Sequence, residues 1–306
     1  MRRTFRLPLM TLLLAGTALF AQQLRPTKSE LCIYDLASEV SRCILSTADH
    51  VEAPNWTPDG RFLLVNGGGK LFEVDLQTPA LKQISTGGVS RVNNDHGVSP
   101  DGKTLVISAG HMYRLPRAGG VPQQITKKTP SYYHGWSPDG KMLAYCAQRD
   151  KNFDLYVIPL EGGEELRVTA HPGHDDGPDY SPDGQWIYFN SDRGGETSIW
   201  RVPAGKNSPQ DEAAELVIGG PRADWFPHPS PDGKWMVYLS YPEGTPGHPA
   251  NKPVELRLIP LDAGSPAQHK PRTLATLTGG QGTINVNSWS PDSRSFAYVR
   301  YEYPLQ

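Results

Sequence analysis

The sequence predicts an all-β fold, a six-bladed β-propeller, and three observations carry that prediction. A short turn motif recurs six times, its copies are spaced at roughly propeller period, and each end of the chain supplies half a blade. The motif reads Trp56-Thr57-Pro58-Asp59-Gly60, Val98-Ser99-Pro100-Asp101-Gly102, Trp136-Ser137-Pro138-Asp139-Gly140, Tyr180-Ser181-Pro182-Asp183-Gly184, Pro229-Ser230-Pro231-Asp232-Gly233 and Trp289-Ser290-Pro291-Asp292-Ser293. Proline presets φ at the second turn position, aspartate suits the position after it, and glycine accepts the left-handed conformation that re-enters a strand. A β-rich run follows each copy, such as Lys141-Met142-Leu143-Ala144-Tyr145, so each copy is a hairpin. The turn aspartates are expected to be structural and to lie on one face.

Successive turn aspartates lie 42, 38, 44, 49 and 60 residues apart. The third unit displays four strands, at about 131–137, 141–147, 153–159 and 164–168. After the sixth turn one strand follows, Phe296-Ala297-Tyr298-Val299, and at the start Leu31–Leu36 and Arg42–Leu45 form an outer hairpin with no inner pair before it. The last blade is therefore predicted to combine two inner strands from the C-terminal end with two outer strands from the N-terminal end. Such closure removes the open interface that a solenoid would leave.

Residues 1–21 read as an export signal, with Arg2, Arg3 and Arg6 ahead of the apolar run Leu7–Phe20, and residues 22–306 as a single propeller domain. The expected location is the periplasm or the exterior. Loss of the signal removes three of the 30 basic residues and none of the 32 acidic ones, which leaves a net charge of −5. That balance, with no basic stripe, argues against a nucleic-acid partner, and no second segment approaches membrane length. Cys32 and Cys43 flank a turn and are candidates for a cross-strand disulfide, whereas Cys146 reads as a buried free thiol.

The repeated Ser-Pro-Asp-Gly turns resemble those of the TolB-type propellers over about residues 30–300. The resemblance implies the propeller but not the α/β domain that precedes it in TolB-like translocation proteins, since about ten residues separate the signal from the first strand. Related propellers accompany prolyl-oligopeptidase-like hydrolase domains, but no G-x-S-x-G elbow is present here. Oligogalacturonate lyases use similar repeats with a metal and histidines on seven blades. Fold likeness alone transfers no chemistry.

In a propeller the innermost strand of each blade starts at one mouth of the central channel, so segments preceding the turns should line it. These windows hold Asn94, His96, His134, His174, Asp224, Trp225, His228 and Asn287, and the longest loop on the same face, Tyr241–Pro253, carries His248. All nine are candidate ligand-binding residues. His96 and His134 both stand three residues before the turn serine and should point alike. Asp175 and Asp176 are candidate ligands for a divalent cation, the one cofactor contemplated. Three functions fit: a binding module that presents the histidine-rich face to a protein or glycan, a carbohydrate-active lyase or hydrolase with a channel histidine as base, and a scaffold whose polar channel is merely hydrated.

Overall fold

The computed structural model describes residues 26–205, 209–261 and 270–304, so the expected export signal lies outside the described residues. Five four-stranded antiparallel sheets and one three-stranded sheet form the six blades. Blade 1 comprises β3 (Glu52–Trp56), β4 (Phe62–Gly67), β5 (Lys70–Asp75) and β6 (Leu81–Ile84). Blade 2 is β7 (His96–Val98), β8 (Thr104–Ala109), β9 (His111–Pro116) and β10 (Gln123–Gln124). Blade 3 is β11 (Ser131–Trp136), β12 (Met142–Arg149), β13 (Asn152–Pro159) and β14 (Leu166–Arg167), close to the four strands predicted. Blade 4 is β15 (Asp175–Tyr180), β16 (Trp186–Ser191), β17 (Ser198–Pro203) and β18 (Glu215–Ile218). Blade 5 is β19 (Ala223–Pro229), β20 (Trp235–Tyr241), β21 (Lys252–Pro260) and β22 (Arg272–Gly279).

Blade 6 joins the two ends of the chain. β1 (Lys28–Asp35) pairs on one side with β2 (Val40–Thr47) and on the other with β23 (Ser295–Glu302), in an unbroken register from Lys28↔Glu302 to Asp35↔Ser295. Cys32 lies opposite Cys43 in that hairpin and the two form a disulfide, while Cys146 is free and buried. The predicted innermost strand of this blade is not continuous among the described residues: it reduces to one bridge, Trp289↔Phe296. The cause is visible in its carbonyls. Ile284 and Asn287 offer theirs to His228 and Asn55 of the adjacent blades 5 and 1, and Asn285 offers its own to His134 of blade 3.

Each turn builds the same small lattice. The Ser or Thr hydroxyl donates to the Asp Oδ1 at 2.5–2.6 Å. That oxygen also accepts the N–H two residues on, and the hydroxyl accepts the N–H five residues on. The glycine of five copies has φ between 70° and 73°, and Ser293 takes the same left-handed position at 60°. Its hydroxyl accepts the Asp232 N–H from the neighbouring blade, a bond glycine would forgo.

Among the described residues, six apolar clusters hold the ring, one in each gap between neighbouring blades. Leu64, Leu105 and Ile107 join blades 1 and 2, and Val106, Tyr133 and Tyr145 join blades 2 and 3. Ala144, Leu155 and Phe189 follow, then Tyr188, Met236 and Tyr238. Tyr34, Leu256 and Phe296 bind blade 5 to blade 6, and Leu31, Val65 and Val299 bind blade 6 back to blade 1. Both faces of a blade are thereby buried, which explains near-continuous apolar runs in antiparallel strands. The ring is closed.

Candidate functional site

Inner strands reach the channel through deliberate irregularities. In β3, β15 and β19 the ladder skips two residues, between Glu52 and Asn55, Asp176 and Asp179, and Trp225 and His228. At each skip a residue with positive φ precedes a proline: Ala53-Pro54, Gly177-Pro178 and Phe226-Pro227. Bulges of this kind re-aim side chains, and here they turn polar groups toward the axis. In β11 one residue is skipped between Tyr133 and Gly135, and that residue is His134.

The expectation that His96 and His134 point alike is corrected by this register. Tyr133 pairs with Tyr145, and His96 pairs with Ile107, the residue equivalent to Tyr145 in its own blade. By ladder position His96 therefore matches Tyr133, and blade 2 lacks the bulge that frees His134. His96 is fully enclosed between blades, and neither ring nitrogen meets a hydrogen-bond partner among the described residues. Burial pushes its pKa down to about 3, so the ring is neutral.

The mouth where the inner strands start holds a cavity of about 450 Å³, lined by Asn93, Asn94, Asp95, Tyr132, His134, Cys146, Phe153, His174, Asp176, His248 and Gln281. Asp176 stands at its centre. His134 Nε2 approaches one carboxylate oxygen at 3.3 Å, while His248 Nε2 and His174 Nε2 face the other at 3.6 and 3.9 Å. His134 Nδ1 donates to the Asn285 carbonyl at 3.3 Å, and its ring lies parallel to Phe226. Burial opposes charge on both partners. For His134 the hydrogen bond and charge of Asp176, with the charge of Asp95, outweigh burial and hold the pKa above its usual value. For Asp176 burial is outweighed by His134 and then by the charges of His248 and His174, which keep the carboxyl well below its usual range. Asp95 lacks so close a counter-ion, and burial raises it to about 6 despite His134 and the Asn285 amide.

His174 precedes β15 and is pinned by its backbone N–H to Asp192 and by stacking on Phe153 with centroids 4.9 Å apart. Its side chain is 39% exposed, so this imidazole opens to solvent. His248 reaches the site from the loop between β20 and β21, wedged edge-on against Trp225 and Phe226, and the Tyr241 hydroxyl donates to the Pro249 carbonyl at the loop base. Trp225 is a buried wall of the site rather than part of the cavity lining.

Other candidates are placed elsewhere. Asp224 turns away into blade 5, among Ser240, Arg257 and Arg222, and burial raises its carboxyl to about 6. Asp175 is buried in an ion pair with Arg193 at 2.8 Å and does not line the cavity. His228 and Asn287 meet deeper in the channel, where both contact Asp179 Oδ2, and His228 Nε2 donates to the Ile284 carbonyl at 2.6 Å. Asn287 faces the opposite mouth, a second cavity of about 360 Å³ ringed by the six turn prolines. His134 lines both cavities and stands between them.

Cys146, Phe153 and Gln281 were not foreseen as site residues. Cys146 and Phe153 come from the second and third strands of blade 3, and only the pairing Cys146↔Tyr132 reveals which face they share. Among the described residues, Cys146, His174 and Asp176 form a group whose potential metal-ligating atoms all lie within 4.8 Å of one another.

The sequence profile of the TolB β-propeller domain matches residues 122–249. An uncharacterised protein of Agrobacterium fabrum is 43% identical over 286 residues, covering 91% of this chain and 94% of its own. A solved structure from Agrobacterium tumefaciens, provisionally assigned as TolB, superposes with a TM-score of 0.84 at 42% identity, over 91% of this chain and 99% of that one. The Tol-Pal system protein TolB of Francisella tularensis subsp. holarctica is 26% identical over 86% of this chain, which spans 59% of that protein's length. With six blades closed end to end and a profile and a relative that agree, the chain belongs to the TolB-type β-propeller family.

Proposed function

We propose that the protein is an exported binding module that receives a segment of a protein partner at the histidine-lined mouth of its channel. The observation that carries this reading is the cavity of about 450 Å³ into which blades 2, 3 and 4 and the blade 5 loop all direct polar side chains. Its size lies in the range of small-ligand and side-chain pockets, and strand residues Tyr132, His134, Cys146, Phe153 and Asp176 form a fixed floor beneath loop-borne His174 and His248. Relatives named for the Tol-Pal system support a protein partner over a glycan. The enzyme reading has weaker support. Of His96, His134 and His174, the channel histidines on which a lyase or hydrolase would draw for its base, His96 is enclosed and His134 has both nitrogens engaged, which leaves His174.

Site-specific photo-crosslinking in the periplasm of a bacterial host tests the proposal. A crosslinker at Asn94 or Gln281 should give a discrete protein adduct, and one at Asp139 on the turn face should not. Equal adducts from both faces, or none from the mouth, would overturn it.

A further inference from the structure

We propose that the same mouth holds a late first-row divalent transition-metal ion, with Zn2+ as the type, bound by His174 Nε2, His248 Nε2, Asp176 Oδ2 and Cys146 Sγ. His248 and His174 face Asp176 Oδ2 at 3.6 and 3.9 Å, too far for hydrogen bonds yet near the spacing of co-ligands around one ion. Zinc bonds of about 2.0–2.3 Å in a tetrahedron set neighbouring ligand atoms roughly 3.3–3.6 Å apart. The Cys146, His174 and Asp176 atoms all lie within 4.8 Å of one another, and His248, which stands outside that group but 3.6 Å from Asp176 Oδ2, would complete the four by a movement of its loop.

Two imidazoles, one carboxylate and a thiol select Zn2+ or Co2+ over Ca2+ and Mg2+, which take oxygen ligands. His134 occupies the other oxygen of Asp176 at 3.3 Å and orients that carboxylate, as outer partners of metal ligands do. Cys146 and Asp176 stand on strands of neighbouring blades, each paired within its own sheet, and the two histidines are held by Phe153 and Trp225. Cys146 otherwise has little to do: its thiol donates to the Asp175 carbonyl at 3.4 Å.

This inference stands apart from the partner reading, because it is tested on the isolated chain. Untagged protein is stripped with a chelator and titrated calorimetrically with Zn2+, and spectroscopically with Co2+. The expected result is one ion per chain, a thiolate-to-cobalt charge-transfer band, and a preference for Zn2+ over Ca2+ of at least about 100-fold. Cys146→Ser should abolish the band, and His174→Ala and His248→Ala should each weaken Zn2+ by about 10-fold or more. His50→Ala, outside the cavity, should leave binding unchanged. His248 lies on a loop, so its variant tests the site without threatening the fold, which circular dichroism checks. Absent Zn2+ binding, binding indifferent to both histidine variants, Ca2+ binding as tight as Zn2+, or a Co2+ complex without the band would each overturn the assignment.

Discussion

At the residue scale, two buried carboxylates in the same family of strands meet opposite fates. Asp176 is surrounded by imidazoles and stays ionised, whereas Asp224 keeps one oxygen without a hydrogen-bond partner and is pushed up to about 6 from an unperturbed 3.8. A folded-state pKa raised in this way means the native chain holds the proton more tightly than the unfolded one. Stability is then highest where Asp224 is protonated, falls as pH rises from about 4 through about 6, and is level above that. Asp224→Asn should match the native protein at pH 4 and exceed its stability by about 2 kcal/mol at pH 8, since a shift of one unit is worth about 1.4 kcal/mol. Urea unfolding at the two pH values checks it, and an equal effect at both would refute the burial argument.

At the element scale, the inner strands divide labour between ladder and bulge. The paired stretches hold each blade together, and the skips shift the phase of the strand: His134 leaves the ladder altogether, while Asp176, Asp179 and His228 flank the skips in their own strands. This explains what could be read from sequence and what could not. The turn chemistry is local, so Ser-Pro-Asp-Gly announced every hairpin, and the spacing announced the blades. A bulge is decided by backbone geometry across two strands, so counting back from the turn placed His96 with His134 when register matches His96 to Tyr133. His248 and Trp225 were within reach because they sit in the long loop and in a pre-turn window. Cys146 was legible as a buried thiol but not as a site residue, because the alternation of β12 has no polar pattern to reveal which face meets the channel. The β1–β2 hairpin adds a covalent link, and its short loop sets its worth: Cys32→Ala with Cys43→Ala should lower stability by about 2–3 kcal/mol. Thermal unfolding with and without reductant should give the same difference for the native protein and none for the double variant.

At the scale of the whole molecule, blade 6 has no autonomous existence. β23 buries Phe296, Ala297 and Val299 only with β1 beside it, since Leu31, Cys32 and Tyr34 complete the clusters on its two faces. A chain beginning at residue 48 should lose its cooperative thermal transition and associate through the bare β23 edge. Adding residues 26–47 as a separate peptide should restore both the transition and the monomer. Size-exclusion chromatography and circular dichroism read the two effects, and a truncated chain that melts cooperatively on its own would show that the ring does not depend on this clasp.

The pairing of Lys28 with Glu302 also sets a clock for biosynthesis. Contacts between residues this far apart in sequence form slowly, and none can form until the distal partner has left the ribosome. The β1–β2 hairpin, made early and closed on itself, must wait unpartnered while five blades assemble behind it.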